Sequence, residues 1–204
     1  MRLPLFIALL TTASIANAGL IKGDFLTTGD GLLITDTATS LEWLSPLATR
    51  YQTYGNATIQ NIESAYGFHY ATYSQTTAML TANFGSVSAT APGDAAGFTA
   101  ANSFFSIFGV AENTTCGDGS PCPRTQGLTS DPGSFANTHL GAGMITLGST
   151  GWMITNNPWP DNFGDTQMGS WLVRDASSSA ETPEPASVGL ALAGTGMLLL
   201  LRRR

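Results

Sequence analysis

Both ends of this chain are apolar segments of the type used in protein export, which confines the packed fold to the residues between them. The N-terminus reads MRLPLFIALLTTASIANAG, where Arg2 precedes an apolar run over residues 3–10. Ala16, Asn17 and Ala18 fit the small-x-small pattern of signal peptidase, which predicts a signal peptide over residues 1–18 cut before Gly19. A buried N-terminal helix is the alternative, but so short a run ending in a cleavage pattern argues against it.

The second apolar segment covers residues 186–201, contains no charge and is followed by Arg202, Arg203 and Arg204. As a helix it would be about 24 Å long, somewhat short of the ~30 Å hydrocarbon core of a membrane. By the positive-inside rule the arginines would stay in the cytoplasm, which leaves the body outside. Because three glycines weaken this helix, we expect a temporary anchor in the inner membrane.

A polar linker over residues 177–185 precedes that segment and ends in Pro183, Glu184 and Pro185. The prolines prevent a helix, so the linker should be extended and accessible. The order of linker, Pro-Glu-Pro, short apolar span and basic end closely resembles the PEP-CTERM sorting signal of Gram-negative bacteria. The resemblance implies that an exosortase, an integral-membrane cysteine transpeptidase-like enzyme, processes the tail. A simple tail anchor is the alternative.

The two ends together predict a route for the protein and its first partners. We expect the export machinery, signal peptidase and then exosortase to act on an inner-membrane precursor, which ends at the cell surface or outside the cell. The whole chain has 14 acidic and 8 basic residues, a net charge of −6, and lacks the basic footprint that nucleic-acid binding needs. Abundant uncharged polar residues suit a protein among polysaccharides, so exopolysaccharide is the expected extracellular partner.

Cys116 and Cys122 are the only cysteines, within the segment CGDGSPC. Its glycines and proline allow a sharp turn, and the exported compartment is oxidising, so we predict a structural disulfide. Zinc would need further ligands, and neither histidine has a metal-site spacing from the pair. A redox site usually has two residues between its cysteines, whereas five lie between these.

Residues 19–176 are predicted to form one α+β domain with short strands at both ends and two central helices. Alternating apolar residues favour strands over 32–35 and 41–44, then over 140–147, 152–155 and 169–175. A short helix over 58–66 and a brief strand within GFHYATYS lie between these groups. We expect the terminal strands to meet in one sheet, followed in the chain by a single apolar C-terminal helix over residues 186–204.

The two central helices are predicted from caps and spacing. Ser74 can cap a helix that runs through Phe84 and is ended by Gly85. The second helix ends at Gly109 and has a core-facing stripe at the spacing i, i+3, i+4, i+7, formed by Ala101, Phe104, Phe105 and Phe108.

The body also resembles a domain common among PEP-CTERM proteins, through DGLLITDTATSLEWL, GFHYATYSQTTAML and GSWLVRD. More distantly it is similar to bacterial C-type-lectin-like domains related to formylglycine-generating enzymes. Residues 67–72 and 171–174 hold the places of their GWRLPT-type segment and closing YVR strand, although His69 stands where arginine is usual. The resemblance implies a C-type-lectin-like fold.

No residue pattern indicates catalysis, so we predict a protein that is not an enzyme and needs no cofactor. A Ser-His-Asp triad would use His69 or His139, and neither lies near a recognisable nucleophile elbow. The formylglycine-generating relatives use cysteines near a metal, and this chain has no equivalent pair of cysteines. Cysteines joined in a disulfide cannot act as nucleophiles. No spacing singles out a carboxylate pair for glycoside hydrolysis. An envelope hydrolase therefore ranks last.

One segment supports a ligand hypothesis, namely NNPWPDNFGDTQMGSW. Asp161, Asn162 and Asp165 are hard oxygen ligands of the kind calcium takes, together with Asn156. Trp152 and Trp159 lie close by in sequence, and exposed tryptophan stacks on sugars. The alternative is a turn-rich loop with Trp159 packed on the core. A calcium- or carbohydrate-binding lectin-like module is thus the second hypothesis, after a non-enzymatic matrix protein.

Overall fold

The computed structural model describes residues 19–85, 87, 93–116 and 119–176. The chain divides into two compact units, residues 1–174 and 175–204. The first contains the folded body, and of the second only residues 175 and 176 are described. The signal-cleavage alanines, the sorting motif, the predicted C-terminal helix and the terminal arginines all lie outside the described residues.

The body is an α+β fold, as the sequence predicts. The described residues contain three α-helices: the two central helices and the short helix predicted over residues 58–66, which begins after Asn56. In chain order the elements are β1 (Leu20–Gly23), β2 (Leu33–Asp36), β3 (Leu41–Leu44), a 3-10 helix (Pro46–Thr49), α1 (Ala57–Tyr66), β4 (His69–Tyr70), α2 (Tyr73–Phe84), α3 (Ala95–Phe108), β5 (Glu112–Thr115), β6 (Pro121–Pro132), β7 (Thr138–Leu147), β8 (Thr150–Pro160), β9 (Met168–Ser170) and β10 (Leu172–Asp175).

The first sheet joins the two ends of the body and has the order β1-β2-β3-β10-β4. The predicted meeting of the terminal strands is therefore confirmed. β10 lies between β3 and β4, and its Leu172 and Val173 are fully buried. The last strand of the body thus completes the middle of the sheet that the first strands begin.

The second sheet has the order β5-β6-β7-β8, with β9 parallel to β6. β6 was not expected, since PCPRTQGLTSDP shows no apolar alternation. Its buried Thr125 and Thr129 instead donate side-chain hydrogen bonds to the carbonyls of Gly109 (2.8 Å) and Leu140 (2.9 Å). Because these bonds satisfy the hydroxyls, a polar strand can be buried.

Trp171 lies between β9 and β10, where the chain leaves the second sheet for the first, and is fully buried. Its backbone N–H donates to Leu128 and its carbonyl accepts from Ala71, both at 2.8 Å. Its indole Nε1 donates to the carbonyl of Ala142 at 2.9 Å, and its ring meets Phe108 at 5.1 Å. This side chain therefore connects both sheets to α3.

α3 buries the predicted stripe of Ala101, Phe104, Phe105 and Phe108, and Gly109 follows it as expected. The helix approaches β8 very closely, because a Cβ atom on Gly97 would lie 1.9 Å from the carbonyl oxygen of Gly151. Glycine at position 97 is thus required by packing rather than by a turn.

The predicted cap of α2 at Ser74 is wrong, because the helix begins two residues earlier. Thr72 caps it: the Thr72 hydroxyl accepts from the Gln75 backbone N–H at 3.1 Å, and the Gln75 side chain accepts from the Thr72 N–H at 2.9 Å. Threonine followed three residues later by glutamine is a capping box, which satisfies two backbone donors that Ser74 would leave open. Gly85 ends the helix as predicted.

A disulfide joins Cys116 and Cys122, as the sequence predicts. Cys116 follows β5 and Cys122 lies on β6 opposite Thr114. The bond therefore fastens the turn end of the β5–β6 hairpin.

Candidate ligand-binding face around Trp159

Part of the segment predicted as a ligand loop is β-strand. β8 continues to Pro160, so Asn156 and Trp159 lie on an antiparallel strand paired with β7. Asn156 has a left-handed backbone (φ 53°) close to the register shift opposite Gly141 and Gly143. Only the residues after Pro160 form an irregular loop, which separates Asn156 from the predicted oxygen ligands.

Asp161 begins that loop and is paired with a histidine. Its Oδ1 lies 2.6 Å from His139 Nδ1, with the two side chains 30% and 17% exposed. Its backbone is fixed as well, since its carbonyl accepts from Tyr54 N and its N–H donates to Asn137, both at 2.9 Å. The carboxylate is thus held on the β7 side of the loop.

Asp165 turns its carboxylate onto its own loop. Oδ1 accepts from the backbone N–H and the hydroxyl of Thr166, and Oδ2 accepts from Gln167 Nε2 at 3.1 Å. The side-chain hydrogen bond from Gln167, followed by those from Thr166, holds the pKa of Asp165 below its usual range. Asn162 between the two acids is exposed.

These contacts do not bring Asp161, Asn162 and Asp165 together around one point. In the described part of the chain, no three His, Cys, Asp or Glu side chains gather where they could hold a metal ion. Calcium binding by this loop stays a prediction, and both carboxylates already have protein partners.

A stack of three rings lies beside the loop, formed by Tyr70, Tyr54 and His139. The ring centroids are 4.3 Å apart between the tyrosines and 3.6 Å apart between Tyr54 and His139. Burial, then the charges of neighbouring groups, raises the pKa of Tyr54 to about 12, and burial likewise raises the pKa of Tyr70. Both phenols are therefore harder to ionise than an exposed tyrosine and keep a proton that can be donated in a hydrogen bond.

Trp159 is directly opposite His139 in the β7–β8 register, so both side chains lie on the same face of the second sheet. The indole lies over Gly141, where a Cβ atom would come within 2.9 Å of Trp159 Cδ1. Phe163 packs against it with ring centroids 4.8 Å apart. Trp159 is half-buried, so part of this ring pair stays open to solvent. We call Tyr54, His139, Trp159 and Phe163 the aromatic face.

The aromatic face offers stacking surfaces and hydrogen-bonding groups. Its His139–Asp161 pair has the form of two triad members, but no serine or threonine hydroxyl among the described residues bonds to His139. His69 lies exposed on β4, paired with Val173. These contacts suit binding through ring surfaces.

Sequence patterns identified Trp159 and Asp161 but missed Tyr54 and Tyr70. His139 was considered only as a triad member or a zinc ligand. Tyr54 lies 85 positions before His139, and the stack forms because the loop after the 3-10 helix is hydrogen-bonded to residues 161 and 165. A contact between residues so far apart in sequence produces no local periodicity. Only the aromatic residues near position 54 could have suggested a ring stack there.

No family model matches the chain, and no curated protein and no solved structure matches it. Within the described residues, no helix combines the length and apolar character needed to cross a membrane. Function is therefore inferred from the chemistry of the two ends and of the aromatic face.

Proposed function

We propose that this protein is a non-enzymatic component of the bacterial cell surface or extracellular matrix, sorted through a PEP-CTERM signal and associated with exopolysaccharide. The observation that carries the proposal is the order of parts at the C-terminus: Pro183, Glu184 and Pro185, an uncharged span, then three arginines. An extended Pro-Glu-Pro segment suits a protease cleft, and the arginines keep the tail from crossing the membrane. Exosortase is the proposed processing enzyme.

Intact-mass analysis of the secreted protein tests the sorting step. The surface form should lack the sequence LLLLRRR, whereas a strain without its exosortase should retain the full chain in the inner membrane. Glu184→Ala should cause the same retention while the melting temperature of the body stays unchanged, because residue 184 lies beyond the folded domain. Secreted protein that still ends at Arg204 would show that the segment is an ordinary anchor.

The aromatic face supports a carbohydrate-binding role for the body. Sugar rings stack their C–H faces on aromatic side chains, and Trp159 with Phe163 presents a partly open ring pair. The protonated Tyr54 phenol and the His139–Asp161 pair add hydrogen-bonding groups beside it. This favours the second candidate function, a lectin-like module, as the means by which a matrix protein holds its polysaccharide.

The arrangement of the elements is compatible with a C-type-lectin-like fold. The resemblance implies an opening and a closing strand, and here β1 and β10 belong to one sheet, in which β10 has β3 and β4 as its direct neighbours. Recognition through rings needs no metal ion, and the proposal places the sugar on the aromatic face rather than on the Asp161–Asp165 loop.

Binding of the mature protein to the exopolysaccharide of the producing strain tests this role, for example by affinity electrophoresis. Trp159→Ala should weaken binding about 5- to 150-fold, if the ring contributes as much as the roughly 1–3 kcal/mol of a base stacked on an aromatic side chain. Gly141→Ala should also weaken it, since the added methyl displaces the indole without removing it. Tyr66→Ala, which removes an exposed aromatic ring at the end of α1, serves as the matched control.

Unchanged binding in Trp159→Ala, with the melting temperature preserved, would assign the polysaccharide contact to another surface. Repeating the measurement with a chelator tests the calcium hypothesis. A chelator would abolish a contact that a calcium ion bridges, but it would leave stacking on the aromatic rings unchanged.

A further inference from the structure

A groove of about 330 Å³ lies between the β2–β3 hairpin and α2, on a different part of the body from the aromatic face. The pairing of Ile34 with Trp43 and of Asp36 with Leu41 places these four side chains on one face of the hairpin. α2 contributes residues 75, 78, 79, 82 and 83, which share one side of the helix at the spacing i, i+3, i+4, i+7, i+8. The groove is thus built from two regular elements rather than from loops.

The space exists because α2 presents small residues there. Ala78 and Ala82 are exposed and lie one turn apart, where longer side chains would fill the gap. Leu41 and Met79 complete largely apolar walls. The volume is at the lower end of the range for small-molecule sites.

Two polar side chains in these walls are buried with few hydrogen-bond partners. Asp36 is 2% exposed, and the only hydrogen bond that the described residues give its carboxylate comes from Ala38 N, at 2.9 Å. No described arginine, lysine or histidine pairs with it. Trp43 is 1% exposed, and its indole N–H has no hydrogen-bond partner among the described residues. Burying such groups costs free energy unless a partner is supplied.

Two further polar side chains of the groove have a hydrogen-bond partner on or next to α2, and the Thr39 side chain lies on the exposed turn between β2 and β3. Gln75 Oε1 accepts from Thr72 N in the capping box, and Asn83 Nδ2 donates to the carbonyl of Met79. A ligand would therefore meet the Asp36 carboxylate and the Trp43 indole N–H within largely apolar surroundings.

We propose that this groove binds a small amine with an apolar body. The ammonium group donates to Asp36 and supplies the cation that the protein does not, while the body covers Leu41, Ala78 and Ala82. A neutral alcohol would lose the charge attraction, and a carboxylate would be repelled, since two like charges in a low-dielectric site strongly disfavour each other. The site is independent of the proposed polysaccharide contact.

Calorimetric titration of the mature protein with 2-phenylethylamine, 2-phenylethanol and 3-phenylpropanoate tests the proposal. These probes share an aromatic body and differ in the charge of the head group. The amine should bind at least tenfold more tightly than the alcohol, and the carboxylate should not bind measurably. Asp36→Asn should remove this preference while the affinity for the alcohol changes little.

Ala82→Leu fills the groove from an exposed helix position, so folding is not at risk. It should lower the affinity for both the amine and the alcohol at least fivefold. Ala65→Leu, an exposed alanine on α1 away from the groove, is the matched control and should change neither. Equal binding of amine and alcohol, no saturable amine binding, or amine binding unaltered in Ala82→Leu would each overturn the proposal.

Discussion

Two aspartates organise the segment between β1 and β2, which has no regular structure of its own. The Asp30 carboxylate accepts from the backbone N–H groups of Phe25, Leu26, Thr27 and Leu32 at 2.9–3.1 Å. Asp24 accepts from Gly29 and Gly31 in the same way. Sequence patterns do not predict these hydrogen bonds, because an Asx network depends on contacts up to seven residues apart and not on apolar periodicity.

The Asp30 network predicts an acid-sensitive loop. The hydrogen bonds from the backbone, first that from Phe25 and then that from Thr27, hold the pKa of Asp30 well below its usual value of about 3.9. A depressed folded-state pKa gives stability that is present above pH 4 and is lost as the pH falls through the folded value. In Asp30→Asn the melting temperature should be lower at pH 7 and should change less below pH 4. Asp175→Asn, at an exposed position, serves as the control, and parallel acid profiles for Asp30→Asn and the unmutated protein would contradict the prediction.

At the scale of elements, the sequence predicts what rests on periodicity and misses what rests on distant partners. The stripe of α3 and the strands β3 and β7 follow from regularly spaced apolar residues. β6 could not be predicted from the sequence. Its Thr125 and Thr129 can be buried because carbonyl groups from other parts of the chain accept hydrogen bonds from their hydroxyls. The sequence predicts Ser74 as the cap of α2, whereas the glutamine at position 75 forms a capping box with Thr72.

The capping box of α2 can be tested by two alanine variants. Thr72→Ala should lower the free energy of unfolding by about 1 kcal/mol, because it leaves a helix N–H without its acceptor. Ser74→Ala, two residues later and equally exposed, should change it by less than about 0.5 kcal/mol. Urea denaturation of both variants measures the difference, and a larger loss in Ser74→Ala would restore the cap that the sequence first suggested.

At the scale of the whole molecule, the sequence predicts the α+β class and the meeting of the terminal strands but not the candidate sites. The aromatic face combines residues from the loop after the 3-10 helix, β7, β8 and the loop that follows. The groove combines the β2–β3 hairpin with α2. Both arise from how elements pack across long sequence separations, and such contacts leave no pattern in a single sequence.

The position of β10 leads to a prediction about where the folded body can end. Trp171, Leu172 and Val173 are all fully buried, and β10 separates β3 from β4 in the first sheet. Arg174 adds an ion pair to Glu42 of β3, with Nε and Oε2 2.7 Å apart. A chain ending at Ala176 should therefore melt cooperatively, since it keeps every described element. A chain ending at Ser170 should not fold, because the first sheet loses an internal strand.

Removing six residues is a large change, so the substitution Trp171→Ala in the full chain provides a milder test of the same link between the sheets. It deletes the indole that connects both sheets to α3, so the free energy of unfolding should fall by about 3–5 kcal/mol. Leu26→Ala, which removes an exposed apolar side chain, is the control and should cost little. Near-ultraviolet circular dichroism and thermal melting report both effects. A chain ending at Ser170 that still melts cooperatively would mean that the first sheet closes without β10, and Trp171 could then not be the link between the two sheets.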